Sequence, residues 1–354
     1  MIYVNGRFLT QDITGVQRFS FEIVKELLNI RSDIVIIVPE EIVKYNFPLV
    51  SDLNVKVVKG GAGHFWEQTT LPLYLKKIGS PLLLNLCNTA PAFYKNQIVT
   101  HHDVTYAKYP ENFSFSFRIF YSLVPRLFLR NSKKIITVSE FSKKEITQHY
   151  KLNKHKLNVI YNAVNNDFVR LSPSVDNDEN KNKKYFLAVS SLAHHKNLHG
   201  LIQEFSLIPS HYNINLIIVG GGSSHFVVNN REIKAGNINF KGRVTDEELR
   251  VLYKNALAFV FPSLYEGFGI PPLEAQACGC PVISSNCSVM PEVLRDSVIY
   301  FDPQTKNDLC SKMISFIQNP QIIPELISKG FENHKRFSWH ESALKLNDII
   351  DGCL

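Results

Sequence analysis

The densest chemistry in this chain lies between Phe261 and Val282, in the run Phe-Pro-Ser-Leu-Tyr-Glu266-Gly267-Phe268-Gly269-Ile270-Pro271-Pro272-Leu-Glu274-Ala-Gln-Ala-Cys-Gly279-Cys-Pro-Val. A β-prone run ends at Phe261, and Pro271-Pro272 stand where a helix would begin, because proline is tolerated in the first turn. Gly279 then closes that helix before the next strand. The turn Gly267-Phe268-Gly269 offers bare backbone N–H groups, and the helix aims its own free N–H groups and positive dipole at the same place. The result is an anion site that a diphosphate would fit. Glu266 and Glu274 bracket the loop, eight positions apart. That spacing by itself does not make a close acid/base pair; it suits two acceptors for hydroxyls on either side of a diphosphate, one on a sugar and one on a ribose. In isolation both would read as solvated carboxylates held by the helix dipole, and the loop between them reverses that preference.

A second candidate is His101-His102-Asp103, directly after the run Ile98–Thr100. Adjacent residues on an extended chain point to opposite sides, so the two rings do not converge on one metal ion, and the sequence supplies no third ligand. No metal site is expected. The pair Cys278-Gly-Cys280 lacks the two-residue gap of redox and zinc sites, and the six cysteines read as buried free thiols.

These residues need a scaffold that holds loops at the ends of strands. Short β-branched runs alternate with helix-length amphipathic stretches, the pattern of βα units around parallel sheets. The first series is Ile2–Val4, Ile34–Val38, Val55–Val58, Leu82–Leu86, Ile98–Thr100, Ile135–Val138 and Val159–Tyr161. The second is Phe186–Val189, Asn215–Val219, Ile238–Phe240, Ala258–Phe261, Val282–Ser284 and Ile299–Phe301. Between them the polar stretch 171–184 reads as a linker. A length of 354 residues suits two domains. In doubly wound α/β folds ligands sit beyond the carboxyl ends of the strands, and the cleft between the two domains is the expected site.

The composition, 45% hydrophobic and 20% charged, excludes disorder. The net charge of +7 is unevenly spread: residues 1–165 hold 21 Lys and Arg against 12 Asp and Glu, and residues 166–354 hold 18 against 20. The basic half contains Phe113 to Lys134, where aromatics alternate with Arg118, Arg126, Arg130, Lys133 and Lys134. Such a helix packs one apolar face on the sheet, and its cations also suit an anionic membrane surface. A nucleic-acid-binding protein is the competing class for a basic half, but no recognition motif accompanies the charge. The polar Asn5-Gly6-Arg7 so close to Met1 reads as no signal peptide, and no apolar run is long enough to span a bilayer. The expected location is cytoplasmic, with a peripheral contact on the inner face of the membrane.

Glu266-x7-Glu274 inside Pro-Ser-x-x-Glu-Gly-Phe-Gly-x-Pro-x-Leu-Glu-Ala resembles the motif of the retaining glycosyltransferases of family four. The resemblance extends through Gly15-Val-Gln-Arg18, His101-His102-Asp103, His195-Lys196-Asn197, Gly242-Arg243 and Phe337-Ser-Trp339. It implies a GT-B fold of α/β class: two Rossmann-like doubly wound domains facing a central cleft, with a C-terminal helix crossing back to the N-terminal domain. The expected divisions are an acceptor-binding domain over 1–170, the linker 171–184, a nucleotide-sugar-binding domain over 185–336, and the returning helix over 337–354. By resemblance, His102 and Glu266 would contact the transferred sugar as catalytic residues. The backbone of Gly267, Phe268, Gly269 and Ile270 would hold sugar and phosphates, and Glu274 the ribose. Lys196 would offset diphosphate charge, and Gly15 would let the backbone approach the donor phosphates. Family members often carry an arginine five positions before the lysine; here that residue is Ser191, and Arg243 is the candidate replacement.

The implied activity is transfer of a hexose, with a lean to mannose and GDP-mannose, from a nucleotide diphosphate sugar to a glycan acceptor. That acceptor would be linked to a polyprenyl diphosphate in bacterial surface polysaccharide (O-antigen, lipopolysaccharide or capsule) synthesis. No cofactor and no metal is implied, and no nucleic-acid partner. A nucleotide-sugar epimerase, or a pyridoxal-phosphate-dependent phosphorylase relative, is the alternative enzyme on this fold.

Overall fold

The computed structural model describes residues 1–40, 54–169, 185–220 and 236–354. Within them the chain divides into two units, Met1–Asn162 with Ser338–Leu354, and Ala163–Phe337.

The first unit is built on β1 (Ile2–Asn5), β2 (Ile34–Val38), β3 (Val55–Val57), β4 (Leu83–Asn85), β5 (Gln97–Thr100), β6 (Lys134–Thr137) and β7 (Leu157–Val159), all parallel, in the order β3-β2-β1-β4-β5-β6-β7. Central strands are covered on both faces, and β2 is buried at every position, which explains its unbroken Ile-Val-Ile-Ile-Val. The last strand begins at Leu157 rather than the expected Val159, because Leu157 is the residue that pairs with Ile135.

Among the described residues, two helices from opposite parts of the chain pack together in this unit. In the helix Gly15–Ile30, Phe19, Ile23, Val24 and Leu27 recur at helical spacing and are buried. The helix Trp339–Asp351, capped by Ser338 accepting the Glu341 N–H at 3.4 Å, buries Trp339, Ala343, Leu346 and Ile350. Phe19 and Trp339 meet edge to face at 6.0 Å. Arg31, just past the first helix, binds Asp33 at 2.7 Å and both Asn347 and Asp351 at 2.8 Å. The last helix therefore belongs to the first unit, as the resemblance implies, and each large side chain buried there is worth about 2–3 kcal/mol.

The second unit carries β8 (Tyr185–Val189), β9 (Asn215–Val219), β10 (Ile238–Gly242), β11 (Ala258–Phe261), β12 (Val282–Ser285) and β13 (Ile299–Phe301), parallel, in the order β10-β9-β8-β11-β12-β13. Phe186, Ala188, Leu216, Ile218, Val260 and Ile283 pack in one core with Leu201, Ile202 and Phe205 of the helix Leu198–Phe205 and with Met313 and Phe316 of the helix Asp308–Gln318.

Residues 163–169, counted with the first domain in the sequence reading, pack in the second unit: Phe168 is buried, 6.3 Å from the Tyr253 ring, and its carbonyl faces the Cys278 thiol. The linker 171–184 lies outside the described residues. Among the described residues no helix is long and apolar enough to cross a membrane.

Both sheets are wound alike. Strand order reverses beside the first strand of each, at β1/β4 and at β8/β11, and that reversal opens a crevice at the carboxyl edge where α/β folds place ligands.

Candidate active site

In the second unit the crevice lies between the loops that follow Val189 and Phe261. The first loop turns through His194–Lys196, leaving Asn197 in a left-handed conformation (φ 52°) that starts the next helix. The second runs from Pro262 to Gly269. The two are tied together where the Leu264 N–H donates to the His195 carbonyl at 2.7 Å. This fastening brings the Lys196 ammonium to 2.7 Å from Glu266 Oε1, across 70 residues of sequence. Both side chains stay partly open, 26% and 13% exposed, so the pair faces a surface that solvent can reach. The Glu266 N–H donates to Ser288 Oγ at 3.1 Å, fixing the backbone behind the carboxylate.

Gly269 caps the helix Ile270–Ala277 at φ 85°, with Pro271 and Pro272 in its first turn. A Cβ at Gly269 would stand 2.5 Å from the Met290 methyl, so both conformation and space demand glycine. Phe268 turns inward, 3% exposed and edge to face with Phe337 at 5.3 Å. Its ring is an anchor for the loop, and only its backbone is available to a ligand.

Glu274 is not the solvated helix-end carboxylate it would be in isolation. It is buried within that helix and accepts from the Tyr253 hydroxyl at 3.4 Å. Burial and this neighbouring carboxylate push the Tyr253 phenol well above its usual pKa, so it stays a donor.

Arg243 follows β10, the edge strand two places from β8, and its side chain is exposed. Among the described residues it forms no ion pair, and the structure does not bring it to Lys196 or Glu266. Ser191 is exposed, and its carbonyl accepts from Ser190 Oγ at 2.9 Å.

In the first unit His102 lies beyond β5, buried, with Nε2–H donating to the Leu86 carbonyl at 3.1 Å and its ring edge to face with Phe19 at 5.0 Å. A carbonyl only accepts, so Nε2 carries the proton and Nδ1 is the acceptor. Burial lowers the pKa, which keeps the ring neutral. His101 points elsewhere, to the Tyr106 hydroxyl at 3.1 Å among Phe128 and Tyr150, and burial pulls its pKa down to about 4. The two rings therefore diverge, and among the described residues no group of three or more His, Cys, Asp or Glu could hold a metal ion. Gly15 opens its helix with nothing within 4 Å of an added Cβ, so nothing inside this unit requires glycine there.

The sequence reading missed a buried polar network at the β1/β4 crevice. Arg7 lies 3.2 Å from Glu67 Oε1 and donates to Thr89 Oγ1 at 2.7 Å. Asn5 Nδ2 reaches Glu67 at 2.9 Å and Asn85 at 3.0 Å. These residues are scattered along the sequence; the signal that could have found them is the glycine cluster Gly60, Gly61, Gly63 just ahead of Trp66-Glu67.

Comparison with known proteins adds to this geometry. Residues 173–333 match the family model described as glycosyl transferases group 1, and residues 13–168 match that of glycosyltransferase family 4. Over 266 residues, 73% of the chain and 70% of the relative, it is 33% identical to the O-antigen chain mannosyltransferase RfbU of Salmonella typhimurium. Over 222 residues, 60% of the chain and 58% of the relative, it is 30% identical to O-antigen chain mannosyltransferase B of Escherichia coli. Among solved structures, Anabaena Alr3699/HepE in complex with UDP superposes with a TM-score of 0.75 at 17% identity, covering 99% of each chain. WaaG, a glycosyltransferase involved in lipopolysaccharide biosynthesis, does so at 0.73 and 14%, covering 99% of this chain and 100% of that one.

Proposed function

Since the chain belongs to the group 1, family 4 glycosyltransferases, we propose that it moves mannose from GDP-mannose to a hydroxyl of a lipid-linked glycan, with retention of anomeric configuration, in the building of a bacterial surface polysaccharide. The observation that carries the reading is the Lys196–Glu266 pair in front of the Gly267–Ile270 backbone, at the carboxyl-edge crevice of the second sheet.

The chemistry follows from the leaving group. As the bond from the anomeric carbon to the phosphate oxygen breaks, its electron pair stays on the diphosphate. Lys196, the loop amides and the helix N-terminus stabilise that charge. Glu266 accepts from hydroxyls of the transferred sugar, and Glu274, held by Tyr253, accepts from the ribose. The acceptor oxygen bonds to the same face of the carbon, and its proton leaves with the diphosphate. With the leaving charge met this way, the reading calls for no divalent cation.

His102 and Gly15 of the first unit serve the sugar and the phosphates, and Arg243 supplies exposed charge near the carboxyl edge of the second sheet. Mannose rests on the names of the relatives, and the diphosphate reading gains support from a neighbour solved with UDP. The acceptor's polyprenyl diphosphate and an anionic membrane surface suit the first unit's charge: 22 Lys and Arg against 15 Asp and Glu, where the second unit has 17 of each.

The test is a panel of sugar nucleotides with nucleotide release as the readout, alongside thermal shifts with GDP, UDP, ADP and single-stranded DNA. Turnover of GDP-mannose that survives excess EDTA is the expected result. Stabilisation by DNA and by none of the nucleotides would sink the reading.

A further inference from the structure

The polar network of the first unit reaches solvent at His64. Glu67 is almost wholly buried, and its Oε1 is taken up by Arg7, Asn5 and Thr89. Its Oε2 faces His64 Nδ1 at 3.3 Å, and the His64 side chain is 43% exposed. Burial alone would raise the Glu67 pKa, yet the hydrogen bond from His64 and the charge of Arg7 hold it below its usual value, so it stays a carboxylate. A carboxylate only accepts, so the hydrogen bond to Glu67 places a proton on His64 Nδ1, and in the neutral ring Nε2 is then the acceptor. Among the described residues no protein group bonds that second nitrogen.

The backbone here is shaped for this placement. Gly60, Gly61 and Gly63 all take positive φ, at 132°, 99° and 54°. Directly after them, Trp66–Thr70 forms a π-helical turn, a local form concentrated at functional sites. Trp66 is fully buried with its Nε1–H on the Val58 carbonyl at 2.8 Å, and Phe120 lies against the His64 ring at 4.5 Å. The network spans Asn5 and Asn85, the last residues of β1 and β4, so it marks the crevice where a doubly wound sheet receives its ligand.

We propose that His64 is an acceptor-binding residue, its Nε2 accepting a hydrogen bond from a sugar hydroxyl of the glycan acceptor while Glu67 fixes the ring as a positioning residue. In the neutral ring that nitrogen accepts from a donor such as a hydroxyl, and the Glu67 carboxylate behind it disfavours phosphate. The inference rests on the transfer reaction proposed above.

Its test compares His64→Ala, His64→Gln and Glu67→Gln with the wild type, using GDP-mannose and an alkyl α-mannoside as acceptor. Losing this hydrogen bond should raise the acceptor KM roughly 10-fold while the donor KM holds. The partition between transfer and donor hydrolysis should move toward hydrolysis. His64→Gln, which retains an acceptor oxygen, should recover part of the loss, and Glu67→Gln should add little in the His64→Ala background. An unchanged acceptor KM in His64→Ala, or a parallel rise in donor KM, overturns the proposal. Because His64 is exposed, His64→Ala decides the matter even if Glu67→Gln fails to fold. Wild-type turnover reports on the substrates and the variant ratios report on His64, so the two readings fail separately; should the wild type prefer another sugar nucleotide, the ratios are taken with that donor.

Discussion

Lys196 Nζ and Glu266 Oε1 stand 2.7 Å apart at the point where the second sheet reverses its strand order. On the reaction proposed above, the cation that would meet the leaving diphosphate is paired with the carboxylate that would meet the sugar. Lys196→Ala and Glu266→Gln should each lower kcat by about 10²- to 10³-fold, the cost of losing a preorganised charge or acceptor. A partly open ion pair contributes only ~1 kcal/mol or less to folding. Circular dichroism melts should therefore stay near wild type while turnover collapses, and a variant with near-normal turnover would refute the assignment.

Gly269 is held at φ 85° against Met290. Gly269→Ala should cost about 1–3 kcal/mol in urea unfolding, because an L side chain is strained there whatever the space. Shortening Met290 in the same chain should restore only the steric part. Full recovery in the double variant would show that the conformation itself carries no strain.

His101 sets a pH dependence. Buried with its pKa near 4, against 6.5 for an ordinary histidine, it is neutral in the fold and takes up a proton in the unfolded chain first. Between those values the unfolded state binds more protons, so stability is full above pH 6.5 and falls as the pH drops toward 4. The loss attributable to this ring is of the order of 3 kcal/mol. His101→Phe, which keeps an aromatic among Phe128 and Tyr150, should flatten the denaturation midpoint over that window. An unchanged slope would mean that other groups govern it.

The helix Phe115–Asn131 supplies a surface prediction. Phe113, Phe117 and Tyr121 stack in series, and Phe128 and Leu129 are buried, so one side packs as a sheet-covering helix must. The other side exposes Phe115, Ile119, Leu123 and Leu127 beside Arg118, Arg126 and Arg130, and no Asp or Glu occurs between Glu111 and Glu140. Ile119→Ser with Leu123→Ser should weaken sedimentation with phosphatidylglycerol vesicles and shift stability by about 0.5 kcal/mol or less. Binding by the wild type should fade as salt rises. Equal binding to neutral vesicles would remove the electrostatic part of the idea.

What could be read in advance follows from how local each feature is. The stretch after Phe261 is punctuated by Gly267, Gly269, Pro271, Pro272 and Gly279, and strands such as β2 (Ile-Val-Ile-Ile-Val) are continuous apolar runs, so both were legible in the sequence alone. Arg7, Glu67 and Asn85 carry no such pattern. They meet because parallel crossovers bring β1 and β4 side by side, and no spacing rule encodes a meeting across 60 or more residues. His102 was placed by resemblance, whereas its proton on Nε2 needed the Leu86 carbonyl to be seen. Glu274 looked solvated in isolation, since nothing nearby in sequence announces Tyr253.

The helix Trp339–Asp351 covers Phe19 from the far end of the chain. The first unit is thus assembled from two separated pieces, with the whole second unit inserted between them. A ribosome releases Phe19 early and Trp339 only after some 300 further residues. During that interval the second unit can already be closed while the first still shows a bare apolar face. The half translated first is the half completed last, and a truncation that removes the final helix should be felt at the amino terminus.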